Sequence, residues 1–319
     1  MRPWRRCSPW CPFGTQCPPC QMGQPAAWRS ALTLPNVPHL LLNGQLIPES
    51  AGLPVKNRGF LFADGIFETI RIAHGTPLFL EDHHQRMREG LKAHRILAPL
   101  GFTPTSIRED IQTLLDAEGI TGGARVRITL TRSSEGYFTP KDSALDVIMV
   151  ASPLETEEYV LNEKGWATDI YPEMKCTPNQ LSRYKNIASN LYVQSGIWAK
   201  KNSLDTALIQ NDRMGIIEAT SSNLFLVSNG VLYTPGLDSG ATAGVLRTQV
   251  INLALSSGMK VYECNLTPQN LLVADEVFLT NVIQGLRWVG SYRTKRYFNG
   301  ATTDLVNRLN KLVTDENQA

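Results

Sequence analysis

The chain has 319 residues, an ordinary balance of apolar (42%) and charged (19%) residues, and a formal net charge of +2. This length suits one large core or two domains, and so small a net charge argues against a nucleic-acid or membrane-surface partner. No apolar stretch approaches the ~20 residues of a membrane helix. Phosphate-loop, HExxH and dinucleotide GxGxxG motifs are absent from the sequence, which argues against nucleotidases, zinc hydrolases and dinucleotide-fold dehydrogenases.

The first 38 residues differ in composition from the rest of the chain. They hold four of the six cysteines, many prolines and several arginines, and no Asp or Glu. Cys17-Pro-Pro-Cys20 has the spacing of half a zinc site or of a redox motif, but its prolines oppose the turn that zinc needs, and no strand-to-helix context supports redox chemistry. We predict an unstructured leader over residues 1–38 and no metal site; vector-derived or mis-started sequence and a transit peptide are the alternatives. Cys176 and Cys264 form no motif, which favours a reduced, cytoplasmic protein.

Residues 39–155 are predicted to form a small domain. LLLNGQLIP predicts a hairpin that turns at Asn43-Gly44, and FETIRIAHGTPLFL predicts a strand pair that turns at residues 74–77. Two helices follow, in EDHHQRMREGLKAHRI and in TPTSIREDIQTLLDAEG, where a Thr-Pro start and a Gly stop frame an apolar face. ARVRITLTRSS alternates apolar residues with Arg and Thr and predicts a strand with two distinct faces. ALDVIMVASP predicts a buried strand that ends this half.

A polar joint over residues 156–165 leads to a predicted large domain over residues 166–313, with a tail at 314–319. This half resumes with ATDIYP. Strands are predicted in DTALIQ, IIEAT, NLFLVS, KVYECNL and DEVFLTN, and LFLVSNGVLYTP predicts a hairpin. Helices are predicted from Lys185 to about Lys201, in GVLRTQVINLALSSG and in TTDLVNRLNKLV. Because strands and helices are segregated rather than strictly alternating, we predict two α+β domains.

Separated stretches of the second half carry complementary chemistry. Lys185 lies in the polar stretch SRYKNIASN, and Glu218 ends a strand, where burial of its carboxylate demands a partner. In SGATAGVLRTQV, small residues lead into a helix whose first backbone N–H groups, at Val245 and Leu246, face an anion. An amine, a carboxylate and a phosphate cradle are the parts that hold pyridoxal phosphate. The lysine forms an imine, the carboxylate keeps the pyridine nitrogen protonated, and the cradle fixes the phosphate.

From about residue 40 to residue 312, the chain resembles the class IV (fold-type IV) pyridoxal-phosphate aminotransferases, a family that contains D-amino-acid aminotransferases, branched-chain aminotransferases and aminodeoxychorismate lyases. Its motifs follow the family order: NRGFLFADGIFETIR, EDHHQRM, RYKNIASN, IIEATSSNLF, ATAGVLR and LTNVIQGL. The resemblance implies a small and a large α/β domain with pyridoxal phosphate between them. It also implies a homodimer whose partner subunit reaches into the active site.

The resemblance further implies a role for individual residues. Lys185 is implied as the catalytic lysine that bonds to the cofactor, Glu218 as the partner of the ring nitrogen, and Ser222 as a contact near the ring. The implied phosphate ligands are Arg86, Val245, Leu246 and Asn281.

Two of these motifs keep an alternative interpretation. Arg86 could instead pair with Glu81 or Asp82 on its own helix, and Asn281 could simply cap a turn. The adjacent His83 and His84 diverge on a helix, so we predict that they are structural or exposed rather than metal ligands.

The substrate is less constrained than the cofactor. Arg125 and Arg127 share a strand face, so at least one could line the site and bind a carboxylate. Arg132 lies in a Thr-Arg pair that resembles the carboxylate-binding loop of D-amino-acid aminotransferases, and lyases have a similar element. Phe67 stands where D-amino-acid enzymes tend to have tyrosine, and Glu68 where some lyases carry a threonine. We therefore predict substrate contacts from Phe67, Arg127 and Arg132. The expected reaction is transamination between an amino acid, of branched-chain or D-amino-acid type, and a 2-oxo acid; the alternative is an aminodeoxychorismate lyase that forms 4-aminobenzoate and pyruvate.

Overall fold

Two β-sheets, one in each half of the chain, organise the computed structural model, which describes residues 38–316. The predicted leader and its Cys17–Cys20 pair lie outside the described residues. The described chain belongs to a single compact unit, and the division into a small and a large domain joined by residues 156–165 stays a prediction. Within residues 38–316, no helix has the length and apolar character to cross a membrane.

The first sheet is antiparallel, with strand order β2-β1-β6-β5-β3-β4. Its elements are β1 (His39–Leu42), β2 (Gln45–Pro48), α1 (Arg58–Phe62), β3 (Gly65–Ala73), β4 (Thr76–Pro77), α2 (Leu80–Ala93), α3 (Pro104–Glu118), β5 (Ala124–Arg132) and β6 (Leu145–Pro153). Met87 of α2 and Ile111 of α3 pack with Val126 and Ile128 in one apolar core. Both helices therefore cover one face of the sheet, and the other face is left for the site.

The strand β6 is less buried than the sequence predicts. β6 was predicted to be buried, but of its residues only Ile148 and Met149 are buried. Leu145, Val147 and Ala151 pack against the core that contains Met149 but are only partly buried, so burial on β6 is confined to the middle of the strand.

The second sheet follows the order β12-β11-β10-β13-β14-β7-β8-β9, with β15 beside β14. Its elements are β7 (Trp166–Ile170), α4 (Asn190–Lys201), β8 (Thr206–Gln210), β9 (Ile216–Ala219), β10 (Ser222–Ser228), β11 (Val231–Pro235), α5 (Val245–Ser256), β12 (Lys260–Cys264), α6 (Pro268–Val273), β13 (Glu276–Asn281), β14 (Gly285–Tyr292), β15 (Lys295–Arg296) and α7 (Gly300–Glu316). β9 also pairs with β10, so β10, β13, β14, β7, β8 and β9 close into a barrel. Closure brings the end of β9, which carries Glu218, beside the start of β10.

Three two-residue turns bear out the hairpin predictions. Asn43-Gly44, His74-Gly75 and Asn229-Gly230 all have positive φ angles, between +50° and +78°, as the type I′ turn requires. Asn, His and Gly tolerate this left-handed region better than other residues do, so the turn residues specified both the bend and the strand register.

A direct backbone contact joins β3 of the first sheet to the segment that carries Lys185. The Phe67 N–H donates to the Lys185 carbonyl at 2.8 Å, and Ile66 and Asn186 form an isolated antiparallel bridge. The lysine is thus fixed between the open face of the first sheet and the barrel of the second.

Candidate active site

A cavity of about 950 Å³ lies between the two sheets. Its walls come from β3, β5, residues 175–192, the β9–β10 connection, the start of α5 and the β13–β14 connection. All predicted site residues except Arg132 line it, namely Phe67, Arg86, Arg127, Lys185, Glu218, Ser222, Val245, Leu246 and Asn281. Segments more than 200 residues apart in the chain therefore meet at one place.

Lys185 presents an amine with no polar partner. No hydrogen bond or ion pair from residues 38–316 reaches its Nζ, which lies 4.7 Å from the centre of the Phe67 ring. Burial, helped by the positive charge of Arg86, lowers the pKa of Lys185 to about 8. A larger fraction of this amine is therefore neutral near pH 7 than in an ordinary lysine, and only the neutral amine is a nucleophile or a base.

Glu218 is a buried carboxylate held by three donors. The Tyr192 hydroxyl donates to Oε1 at 2.6 Å, the Thr242 N–H donates to Oε2 at 3.1 Å, and the Thr242 hydroxyl donates to Oε1 at 3.3 Å. Burial raises the pKa of Glu218, and the hydrogen bond from Tyr192 is the largest effect that opposes this rise. Tyr192 and Thr242 were not among the predicted site residues, because neither stands out in the local sequence.

The N-terminus of α5 is open toward the cavity. Gly244 precedes the helix without a side-chain cap, and the N–H groups of Val245 and Leu246 find no acceptor in the described chain. A Cβ on residue 244 would lie 1.9 Å from Asn223 Oδ1, so only glycine allows this close approach. Uncapped N–H groups and the helix dipole together favour a bound anion.

Two buried hydroxyl groups beside this helix also lack a partner. Neither Ser222 Oγ nor Thr280 Oγ1 has a hydrogen-bond partner within residues 38–316, and both residues line the cavity. A buried hydroxyl without a partner is unfavourable, so both groups are available to a polar ligand.

Asn281 takes the alternative role that its sequence left open. Its Nδ2 donates to the Ser221 carbonyl at 2.9 Å, and its Oδ1 accepts the Ile283 N–H at 2.9 Å. The side chain therefore closes the turn between β13 and β14. Thr280, its neighbour, has the unpartnered hydroxyl and is the better candidate for a phosphate contact.

Arg86 pairs with Glu68, not with either acid on its own helix. Nε and Nη2 of Arg86 bind the two carboxylate oxygens of Glu68 at 2.7 and 2.6 Å, and Nη1 donates to the Ala243 carbonyl at 2.6 Å. Burial alone would raise the pKa of Glu68, but Arg86 and His83 hold it well below its usual range. The guanidinium is thus fixed next to the α5 N-terminus, where the predicted phosphate role would require it.

The two adjacent histidines have different buried partners. His83 Nδ1 lies 2.8 Å from Glu68 Oε2, and His84 Nε2 lies 2.9 Å from the Phe102 carbonyl oxygen. Within residues 38–316, no group of three or more His, Cys, Asp or Glu side chains is arranged to hold a metal ion.

Two arginines of β5 face the cavity. Arg125 and Arg127 are partly buried and line it, and the Arg127 guanidinium stacks 3.9 Å from the centre of the Phe67 ring. Neither forms an ion pair with an acidic side chain of the described chain. Uncompensated guanidinium groups in a half-enclosed cavity are suited to binding carboxylates.

Arg132 does not reach the cavity. Its Nε binds Asp64 at 2.9 Å, and its Nη atoms bind the carbonyls of Arg95 and His94 at 2.9 and 2.7 Å. Successive strand residues point to opposite faces, so Arg132 faces the helices together with Leu130, whereas Arg127 faces the cavity. This position corrects the prediction that Arg132 lines the substrate site.

The sequence matches the family description amino-transferase class IV over residues 65–292. The chain belongs to this family. This chain is 29% identical to a branched-chain-amino-acid aminotransferase of Methanocaldococcus jannaschii, whose name is provisional. The match covers 76% of this chain and 83% of the relative. The aminodeoxychorismate lyase of Bacillus subtilis is 28% identical, with the same 76% and 83% coverage.

A solved structure supports the fold. The branched-chain amino acid aminotransferase of Thermobaculum terrenum, in its PLP (holo) form, superimposes with a TM-score of 0.76 at 23% identity. The match covers 87% of this chain and 94% of that one. The α+β fold of class IV aminotransferases, predicted from the motif order, is confirmed, whereas relatives with different activities leave the substrate open.

Proposed function

We propose that this chain catalyses pyridoxal-phosphate-dependent transamination between an amino acid, of branched-chain or D-amino-acid type, and a 2-oxo acid. One observation carries the proposal: the amine of Lys185, with its lowered pKa and no polar partner in the described part of the chain, faces the same cavity as buried Glu218 and the uncapped N-terminus of α5. These three groups match the carbonyl, ring nitrogen and phosphate of the cofactor.

The polar groups of the cavity fit pyridoxal phosphate on independent grounds. Among residues 38–316, the buried hydroxyls of Ser222 and Thr280 have no hydrogen-bond partner, and the first N–H groups of α5 have no acceptor. These are donors suited to a phosphate. Arg86, held by Glu68 beside Ala243, would supply the positive charge.

When bound, pyridoxal phosphate supplies a conjugated ring that draws electron density from the substrate α-carbon. Lys185 Nζ, once freed by the substrate amine, would be the base that takes the α-carbon proton and would return it to the cofactor carbon on the other side of the substrate nitrogen. Glu218 stabilises the protonated ring nitrogen. Arg125 and Arg127 bind and orient the substrate carboxylate.

The alternative function is that of an aminodeoxychorismate lyase. It is supported by the Bacillus subtilis relative, whose 28% identity is close to that of the aminotransferase relative. Two unpaired arginines would also suit a substrate with two carboxylates. Purified protein is assayed with D-alanine or L-leucine plus 2-oxoglutarate for glutamate, and with aminodeoxychorismate for 4-aminobenzoate. Glutamate formation supports the first function, and aminobenzoate release alone supports the second.

A homodimer in the cytoplasm belongs to the same proposal. Phe60, Tyr137 and Phe138 are 76%, 84% and 89% exposed, and the Phe138 ring lies 5.7 Å from the ring of Phe62, on the same helix as Phe60. Contiguous exposed apolar side chains are typical of association surfaces. Light scattering coupled to size exclusion measures the mass directly, and a monomeric mass would contradict the dimer.

The test of the catalytic assignment is covalent trapping. The protein is incubated with pyridoxal phosphate, reduced with borohydride and digested, and the peptides are weighed by mass spectrometry. We expect a phosphopyridoxyl mass on the peptide that contains Lys185, and both the label and the activity to be lost in Lys185→Ala.

Lys175 provides the matched control, because it is the other lysine that lines the cavity. Lys175→Ala should keep the label on Lys185 and most of the activity. Labelling that moves to other lysines or persists in Lys185→Ala would overturn the assignment.

A further inference from the structure

Tyr192 contacts Glu218 but has no part in the proposed reaction described above. Tyr192 lies in the first turn of α4 and lines the cavity. Its ring packs against the small apolar cluster of Ile209, Ile217 and Ala241, while its hydroxyl donates to Glu218 Oε1 at 2.6 Å. The ring is anchored by packing, so the hydroxyl is held at a fixed position.

The hydrogen-bond donors around the Glu218 carboxylate leave room for one more donor. An ionised carboxylate has about four lone-pair sites for donors. Tyr192 occupies one site, and the Thr242 N–H and hydroxyl occupy two more. One additional donor is the number that a protonated pyridine nitrogen brings.

The Tyr192 hydroxyl acts as a donor at every working pH. Burial, followed by the negative charge of Glu218, raises the pKa of Tyr192 well above its usual value. A hydroxyl that keeps its proton stabilises the charged form of the carboxylate more than the neutral form. Without it, burial would favour a neutral Glu218, and a neutral acid cannot keep the ring nitrogen protonated.

We infer that Tyr192 is a positioning residue that holds Glu218 charged and correctly oriented toward the cofactor ring nitrogen. This inference rests on the proposed function. Tyr192 acts through Glu218 and does not itself contact the substrate.

The test uses the holoenzyme and Tyr192→Phe, which removes the hydroxyl and keeps the ring. The primary readout is the ¹⁵N chemical shift of the ring nitrogen in bound, ¹⁵N-labelled pyridoxal phosphate. We expect the wild type to show a protonated nitrogen and Tyr192→Phe to shift toward the neutral value. We also expect kcat to fall about tenfold to a hundredfold with little change in KM, the range for losing one hydrogen bond to a charged group.

A matched control separates this role from a general loss of stability. Tyr297 is also buried, and its hydroxyl donates to the Leu271 carbonyl at 2.7 Å, but it does not line the cavity. Tyr297→Phe should leave the ¹⁵N shift and kcat unchanged. Urea unfolding of both variants measures any common structural effect.

A double variant tests whether Tyr192 acts through Glu218. If it does, adding Tyr192→Phe to Glu218→Gln should cause no further loss of kcat. If the losses of kcat from the two single variants multiply in the double variant, or if the ¹⁵N signal of Tyr192→Phe is unshifted, the inference is overturned and the proposed function still stands. A wild-type chain that binds no pyridoxal phosphate would overturn both.

Discussion

At the scale of single residues, the surroundings of each ionisable side chain in the site set its protonation state. Burial, followed by the positive charge of Arg86, outweighs the opposing charges of Glu68 and Glu218 at Lys185, so its amine loses its proton more easily than an ordinary lysine. Glu68 binds the Arg86 guanidinium and the His83 ring, which hold its pKa well below the usual range, so it stays ionised. Glu218 lies between these extremes, because burial and hydrogen bonding act on it in opposite directions. The same functional groups on the surface would have none of these properties.

The lowered pKa of Lys185 predicts the pH dependence of cofactor attachment. The rate at which ligand-free protein bonds to pyridoxal phosphate should rise with pH as the amine loses its proton, and level off above about 8. An ordinary lysine would keep gaining neutral amine up to about 10.4. Borohydride trapping of Lys185 at a series of pH values gives the rate, and a rise that continues to pH 10 would contradict the shift.

The lowered pKa of Lys185 also predicts how the free energy of unfolding depends on pH. The unfolded chain holds the lysine proton up to a pKa of about 10.4, whereas the folded chain releases it at about 8. Between these values the unfolded chain binds more protons, so the ligand-free protein should gain stability as pH rises through this window. Lys185→Met should remove that part of the pH dependence in urea titrations.

At the scale of elements, a buried ion pair fixes α2 to β3. Glu68 lies on β3, whereas Arg86 and His83 lie on α2, and all three side chains are buried. The pair also sets the position of Arg86 relative to Ala243, just before α5. One carboxylate thus orients two helices around the phosphate end of the cavity.

Glu68→Gln should be strongly destabilising. The substitution keeps the shape but leaves the Arg86 charge buried without a partner, which typically costs about 3–5 kcal/mol. The free energy of unfolding from urea titration measures the loss. Glu81→Gln, on α2 and highly exposed, should change stability by less than about 0.5 kcal/mol, and a similar small change for Glu68→Gln would contradict the role of the pair.

The helices and strands also show which features can be predicted from the sequence alone. Helices with clear start and stop signals and hairpins with Asn-Gly turns were predicted correctly, because local chemistry decides them. The short helices α1 and α6 and the strand β14 were missed, because they lack a clear periodic pattern. The contact of Tyr192 with Glu218 depends on closure of the barrel, and no local pattern reports such a long-range pairing.

At the scale of the whole molecule, Arg71 connects parts of both halves. Its side chain, buried on β3, binds the carbonyls of Thr156 and Glu158 at 2.6 and 3.0 Å and also the carbonyl of Ile283. The first two carbonyls lie in the joint between the sheets, and the third lies in the β13–β14 connection, which lines the cavity. Arg71 therefore links the connection between the sheets to the wall of the site.

Arg71→Lys should loosen this link, because an ammonium group lacks the planar fork that reaches several carbonyls at once. We expect a loss of at least about 2 kcal/mol in unfolding free energy and a weaker affinity for pyridoxal phosphate. Arg296→Lys, an exposed substitution whose guanidinium binds only nearby carbonyls of its own turn, is the matched control. Equal behaviour of the two variants would argue against a link through Arg71.

The fixed position of Arg86 has a thermodynamic consequence. Its three contacts, two with Glu68 and one with Ala243, leave the guanidinium few alternative rotamers. Ordering a long side chain normally opposes binding by about 0.5–1.5 kcal/mol. Here that entropy is already lost when the protein folds, so an incoming phosphate meets a charge that no longer has to be ordered. Calorimetry would register this preorganisation as anion binding with a small entropic penalty.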